Sequence, residues 1–165
     1  MKTSAKLTTA IIASLILVMA GSTHISKWGQ SAKEASHSEI IPGLTIEADS
    51  NWSYSGFQKA VFTSLSVQID SNYDVAKPDE LMNYLLLTAW SVNDIKPNRL
   101  VAIHFKDSLT FDPASAARSA GWSQIESFPP GKAPGVYISP NEVENKVGFW
   151  PGSIPIPPTG MLVVK

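Results

Sequence analysis

One histidine stands inside the predicted folded part of the chain, and two acidic residues follow it closely. These are His104, Asp107 and Asp112. An imidazole oriented by a carboxylate is a common general base, so the three residues could form the site of a small exported hydrolase. Such a site also needs a nucleophile, a metal ion or a paired carboxylate. The sequence has no Gly-x-Ser-x-Gly, His-Glu-x-x-His or phosphate-binding glycine loop. A surface position for His104 is therefore the favoured interpretation.

A second polar cluster could hold a cation. Asp70, Asn72 and Asp74 place oxygen ligands at alternate positions, as calcium-binding loops do. The pattern then fails, because Val75 stands where such a loop needs glycine and Leu81 stands where it needs a bidentate acid. Aspartate and asparagine are also typical of any strand-to-helix turn. We therefore favour a structural turn, keep the three residues as weak metal candidates, and predict no cofactor.

A predicted β-α-β unit positions both groups of residues. One strand over Val61–Asp70 and another over Arg99–Lys106 alternate apolar and polar residues, and a helix is predicted over Asp79–Asn93. Pro78 suits the first position of that helix. Strands with one apolar and one polar face indicate a sheet that is covered on one side. We expect an α+β fold, a small two-layer sandwich in which one main helix packs on a mostly amphipathic sheet.

The predicted helix has apolar residues on both sides. Leu85 and Val92 lie on its main apolar stripe, and we expect them to be buried against Val67, Ile69, Val101 and Ile103. Leu87 lies on the opposite side, with Tyr84 and Trp90 at the edges. Either a loop covers Leu87, or Tyr84, Leu87 and Trp90 form a surface for a partner, since exposed apolar patches often mark interfaces.

Shorter elements flank this unit. They are a strand over Leu44–Ala48, a turn over Asp49–Ser53, a helix from Asp112 to Gly121, a strand over Val136–Ile138, a helix from Ser139 to Gly148 and a last strand over Met161–Val164. Asp112 is predicted to cap its helix, and Ser139 with Glu142 matches a capping box. Five tryptophans could stack on ligands, although packing is their more common use. They are Trp28, Trp52, Trp90, Trp122 and Trp150.

The N-terminal segment predicts export. Met1–Lys6 is basic, Leu7–Ala20 is apolar, and Val18-Met19-Ala20 offers a cleavage site before Gly21. Residues 1–21 are thus a signal peptide or an uncleaved membrane anchor. Residues 22–39 are interpreted as a flexible polar linker, in which His24 and His37 are solvated rather than metal-binding. Residues 40–165 are predicted to form one globular domain.

Composition excludes several classes of protein. The 165 residues are 44% hydrophobic and 16% charged, with a net charge of −1. No basic face is visible, so a nucleic-acid partner is not expected. The chain has no cysteine, which excludes disulfides, thiolate metal sites and a cysteine nucleophile.

One segment of the chain resembles a group of known proteins. The run from Tyr84 to Asn93, with Pro97-Asn98 after it, resembles a helix and turn of small, uncharacterised exported α+β proteins of actinobacteria. The segment from Asp112-Pro113 to Gly121-Trp122 is similar to theirs too. The resemblance implies an exported α+β domain and brings no activity or site with it.

These observations predict a non-enzymatic, exported domain associated with the cell envelope, either extracellular or anchored on the outer side of the cytoplasmic membrane. Its expected partner is an envelope protein or a wall polymer, and only the N-terminal segment is expected to contact the membrane. The alternative is the small exported hydrolase built on His104 and nearby carboxylates.

Overall fold

The computed structural model describes residues 33–35, 41–55, 57–92, 95–148, 150 and 155–165. These residues form a mixed α+β fold. The predicted signal or anchor segment, residues 1–21, lies outside the described residues, as does the predicted linker apart from Lys33–Ala35. Both remain sequence-based expectations. Within the described ranges, no helix is long and apolar enough to cross a membrane.

The described elements alternate strands with short helices. The strands are β1 (Lys33–Ala35), β2 (Leu44–Ser55), β3 (Gln58–Ile69), β4 (Tyr73–Val75), β5 (Leu100–Phe105), β6 (Ile125–Ser127), β7 (Gly135–Ile138) and β8 (Leu162–Val164). The helices are α1 (Pro78–Ser91), α2 (Pro113–Ser119) and α3 (Pro140–Val147).

The main sheet has the order β2-β3-β5-β7-β6, and the short strand β1 pairs with β2 at one edge. Strands β3 and β5 are parallel, and the other neighbours are antiparallel. The predicted β-α-β unit is therefore confirmed, with α1 in the connection between the two parallel strands. Strands β4 and β8 form a separate two-stranded sheet, which the sequence analysis did not predict.

The predicted turn over Asp49–Ser53 is wrong. Strand β2 continues through these residues and pairs with β3 from Leu44 opposite Ile69 to Ser55 opposite Gln58. Aspartate, serine and asparagine are common in turns. This local preference is weak compared with the backbone hydrogen bonds of a strand pair. Here the β3 backbone provides a partner along the whole length of the strand.

Helix α1 packs against one face of the β3–β5 pair. On β3, Val61, Thr63, Leu65 and Val67 are buried, whereas the residues between and after them, from Phe62 to Gln68, are half-buried or exposed. Leu85 is fully buried in the same core as Val67, Val101 and Ile103, as predicted. Val92 is only half-buried, which corrects the prediction that it is buried; like Ile69, it packs against the edge of this core. Val92 caps the C-terminus of α1, where the helix is already leaving the core.

Local capping explains where the two short helices begin. The Asp112 carboxylate accepts a hydrogen bond of 3.0 Å from the Ser115 backbone N–H, so Asp112 is the predicted N-cap of α2. Hydrogen bonding from the Ser115 side chain, more than any other influence, lowers the pKa of Asp112. Ser139 caps α3 by accepting a bond of 3.3 Å from the Asn141 N–H.

The predicted capping box does not form, because the Ser139 hydroxyl accepts from the Asn141 N–H and not from the Glu142 N–H. Instead of returning to Ser139, the Glu142 carboxylate accepts bonds from the Ser123 N–H at 2.6 Å and from the Gln124 N–H at 2.7 Å. Glu142 therefore ties α3 to the loop before β6. The backbone N–H groups of Ser123 and Gln124 precede β6 and have no partner in the sheet. The Glu142 carboxylate satisfies these two donors instead of capping its own helix.

Candidate functional site

An open cleft of about 930 Å³ lies where the parallel strands β3 and β5 end. Its volume falls within the range of roughly 300–1,000 Å³ that is common for ligand pockets. The lining combines the last residues of these two strands with the start of β2, strand β4, the loop of residues 107–111 and Lys165. The carboxyl ends of parallel strands are frequent ligand sites, because the connecting loops diverge there and leave a crevice.

One side of the cleft, here called the apolar wall, consists of hydrophobic side chains from four segments. Phe105 and Val67 are buried at its base, and Phe111 packs edge-on against Phe105 with ring centroids 6.0 Å apart. The other members of the wall are half-buried. We define the wall as Ile41, Val67, Ile69, Phe105, Leu109 and Phe111. This wall offers an apolar ligand surface that remains continuous with the hydrophobic core.

Three carboxylates lie on the rim of the cleft, and here they are called the acidic rim. They belong to Asp70, Asp74 and Asp107. Asp70 orders the turn after β3, since its carboxylate accepts a bond of 2.9 Å from the Asn72 N–H. Asp107 is exposed and forms no ion pair within the part of the chain that the structure describes.

Among the described residues that line the cleft, Lys165 is the only basic one, and its ammonium already has partners. Its ammonium lies 3.5 Å from an Asp74 carboxylate oxygen and donates a bond of 2.9 Å to the Ser71 carbonyl. Its backbone N–H donates a bond of 2.9 Å to the Asn72 carbonyl. The acidic rim therefore keeps an excess of negative charge.

The weak metal candidates are not assembled into a metal site. Asp70 and Asp74 lie in the cleft, but Asn72 does not line it. Across the described ranges, no group of three or more histidine, aspartate or glutamate side chains is placed to hold a metal ion. The Asp70 turn and the pairing of β4 with β8 account for the positions of these residues instead.

Gly43 and Tyr73 fix the shape of the cleft where β2 begins. Gly43 has a φ of +83°, and a Cβ atom built there would lie 2.5 Å from the Tyr73 ring. The ring therefore lies directly against the Gly43 backbone. The Gly43 carbonyl also accepts a bond of 2.9 Å from the Asp70 N–H. Glycine at this position is required both by the backbone angle and by the approach of the ring.

The candidate hydrolase residues lie in three different environments. His104 does not line the cleft, and its ring lies 4.5 Å from that of Phe128, measured between centroids. Burial lowers the pKa of His104 from its ordinary value of 6.5. Asp112 caps α2, so only Asp107 reaches the cleft. No hydrogen bond or ion pair joins His104 to either aspartate in the described structure.

Phe128 belongs to a row of rings on the sheet face opposite α1. Its ring also stacks on that of Tyr137, with centroids 5.9 Å apart. Gly135 makes room for it, because a Cβ atom there would lie 2.4 Å from the Phe128 ring. The hydroxyl of Tyr137 donates to the Glu126 carboxylate, and this bond raises the pKa of Tyr137. His104 is therefore a packing residue in this arrangement.

The predicted partner surface is wrong for two of its three residues. Tyr84 and Trp90 are each only 1% exposed, and Leu87 is half-buried against the core. The Trp150 indole N–H donates a bond of 2.8 Å to the Trp90 carbonyl, and the Lys96 ammonium lies 5.7 Å from the centre of the Trp90 ring. These distant segments therefore contact the C-terminal end of α1 at Trp90.

Trp122 also has a packing role. It is 1% exposed, its indole N–H donates a bond of 3.1 Å to Asn83, and the Lys146 ammonium lies 4.3 Å from the centre of its ring. Trp28 and the side chain of Trp52 lie outside the described part of the chain. Ligand stacking is thus unsupported for Trp90 and Trp122.

Sequence reasoning missed the cleft, because residues from position 41 to position 165 contribute to its lining. The only local indication of a site there was the polar residues that follow the two parallel strands, among them Asp70 and Asp107. Comparison with protein-family models, with curated proteins and with solved structures finds no match for this chain.

Proposed function

We propose that this protein is an exported, non-enzymatic module of the cell envelope and that the cleft binds its partner. The observation that carries the proposal is the cleft itself, which joins an apolar wall to a polar rim at the ends of β3 and β5. Binding sites commonly combine a mostly apolar surface with a few polar groups that orient the ligand. The partner is an envelope protein or a wall polymer.

The export part of the proposal rests on the sequence. A basic start, an apolar run and Val18-Met19-Ala20 are the three parts of a secretory signal. The resemblance to exported α+β proteins points the same way. Residues 40–165 form the binding domain in this proposal, as a two-layer sandwich. The burial of alternate β3 residues beneath α1 supports the two layers.

The non-enzymatic part is supported by the arrangement of the titratable residues. General acid–base chemistry needs its groups within hydrogen-bonding reach of one reacting atom. Asp107 lies on the cleft, whereas His104 packs against Phe128 and Asp112 caps α2. This arrangement favours binding over the hydrolase alternative.

The test is a binding experiment on the isotope-labelled chain, followed by NMR spectroscopy. The probes are soluble muropeptides and a small set of capped hexapeptides of defined sequence. We expect at least one probe to shift the backbone signals of Gly43 and Asp107 while leaving those of Gly131 and Gly148 unchanged.

Two leucine variants provide the matched comparison. Leu109→Ala removes part of the apolar wall, and Leu87→Ala removes an equally half-buried leucine that does not line the cleft. Leu109→Ala should weaken probe binding, whereas Leu87→Ala should not. Probes that shift only signals outside the cleft, or equal losses in both variants, would contradict the proposal.

A further inference from the structure

We infer that the partner of the cleft is a protein segment in which a lysine or arginine lies between apolar side chains. This inference rests on the proposed function, because it names the ligand class of the same cleft. The acidic rim and the apolar wall line the same cleft, and together they define the ligand class.

The charge of the rim selects a cation. Among the residues that the structure describes, three aspartates and one lysine line the cleft, and the ammonium of Lys165 contacts Asp74 and the Ser71 carbonyl. Asp107 has no cationic partner among the described residues, and one Asp70 oxygen is occupied only by a backbone N–H. An incoming ammonium or guanidinium would therefore compensate charge that the chain leaves unbalanced.

The apolar wall selects the residues beside that cation. Leu109 and Phe111 belong to the same loop as Asp107, so apolar surface and carboxylate are adjacent in the cleft. A lysine or arginine stem can lie along apolar surface while its charged end reaches a carboxylate. Neighbouring apolar side chains of the same segment would cover the rest of the wall. A neutral wall glycan would leave Asp107 without a cationic partner.

The experiment compares two capped peptides, Ala-Leu-Lys-Phe-Leu-Ala and its analogue with glutamine in place of lysine. Binding to the full chain is measured by calorimetry at low and high salt. We expect the lysine peptide to bind about two- to fivefold more tightly than the analogue at low salt, which is the range for an exposed ion pair. This preference should shrink at high salt, because exposed charges are screened.

Two charge variants should change the affinity for the lysine peptide in opposite directions. Asp107→Asn should weaken binding of the lysine peptide by about two- to fivefold, and Lys165→Gln should strengthen it, because a competing cation is removed. Glu126→Gln is the matched control, since it removes an exposed carboxylate that does not line the cleft. Thermal melts of the variants verify that all of them are folded.

The outcomes separate this inference from the proposed function. If both peptides bind in the cleft equally and Asp107→Asn has no effect, the ligand class is wrong and the proposed function stands. If muropeptides bind in the cleft and neither peptide does, the partner is a wall polymer, and the inference is likewise overturned. If none of these probes binds in the cleft, both are overturned.

Discussion

Replacement of Gly43 by alanine should destabilise the protein by two separable effects. The backbone at this position has a φ of +83°, which costs a residue with a Cβ atom about 1–2 kcal/mol. The new Cβ would also lie 2.5 Å from the Tyr73 ring, well inside van der Waals contact. Overpacking of this kind typically costs about 1–3 kcal/mol. Gly43→Ala should therefore lower the free energy of unfolding by about 2–5 kcal/mol in total.

A double-mutant cycle separates the two effects. In a Tyr73→Ala background the ring is absent, so only the cost of the backbone angle should remain, about 1–2 kcal/mol. The difference between the two backgrounds is the coupling energy between Gly43 and Tyr73, which we expect to be about 1–3 kcal/mol. Coupling of this size would show that the ring lies against the glycine in solution.

The assay is urea denaturation of the four proteins, monitored by tryptophan fluorescence and by circular dichroism. Both probes should give the same midpoint if unfolding is two-state. An equal cost of Gly43→Ala in both backgrounds would refute the contact between the ring and the glycine. A cost near zero in the wild-type background would refute the backbone angle as well, and with it the described shape of the cleft.

Two further predictions concern the core and the sheet face opposite α1. Leu85→Ala should lower the free energy of unfolding by about 2–5 kcal/mol, because Leu85 is fully buried. Leu87→Ala should lower it by only about 1 kcal/mol, since a half-buried leucine loses less apolar burial. Equal losses for the two variants in urea denaturation would contradict this. The lowered pKa of His104 means that the unfolded chain binds more protons between that lowered value and 6.5, so stability should fall as the pH drops through this window. His104→Gln should remove this part of the pH dependence of the melting temperature, and an unchanged pH profile would show that His104 is not desolvated.

The regular part of the fold could be predicted, because its signals are local. Apolar periodicity identified β3, α1 and β5, and proline and aspartate identified the starts of α1 and α2. In each case the residues that carry the signal are close together in the sequence. The pattern within one element reports which face it buries, although it does not report what covers the other face.

The wrong predictions concern residues whose burial or hydrogen bonding depends on a distant part of the chain. Tyr84 and Trp90 were expected at the edges of an open side of the helix, but both are buried, and Lys96 and Trp150 contact Trp90 there. The Asp49–Ser53 stretch looked like a turn until β3 supplied its hydrogen bonds. No local pattern contains this information.

The cleft also depends on contributions from distant parts of the chain. Asp107 was considered only as an orienting acid for His104, because the two are close in sequence. Adjacent residues of a strand point to opposite faces of the sheet, and the loop after β5 leads Asp107 away from the histidine. The residues that line the cleft together with Asp107, such as Asp70 and Lys165, come from other parts of the chain.

The pairing of β4 with β8 also has a consequence for folding kinetics. Tyr73 lies opposite Val164, and Val75 lies opposite Leu162, so the contact closes a loop that contains α1, β5 and both shorter helices. Contacts between such distant residues form slowly, because the entropy of loop closure is lost before the contact stabilises the chain. The main sheet and α1 can therefore assemble first, and the cleft is completed only when β8 joins β4. A chain interrupted before Leu162 would retain the central sheet and lack the Lys165 side of the cleft.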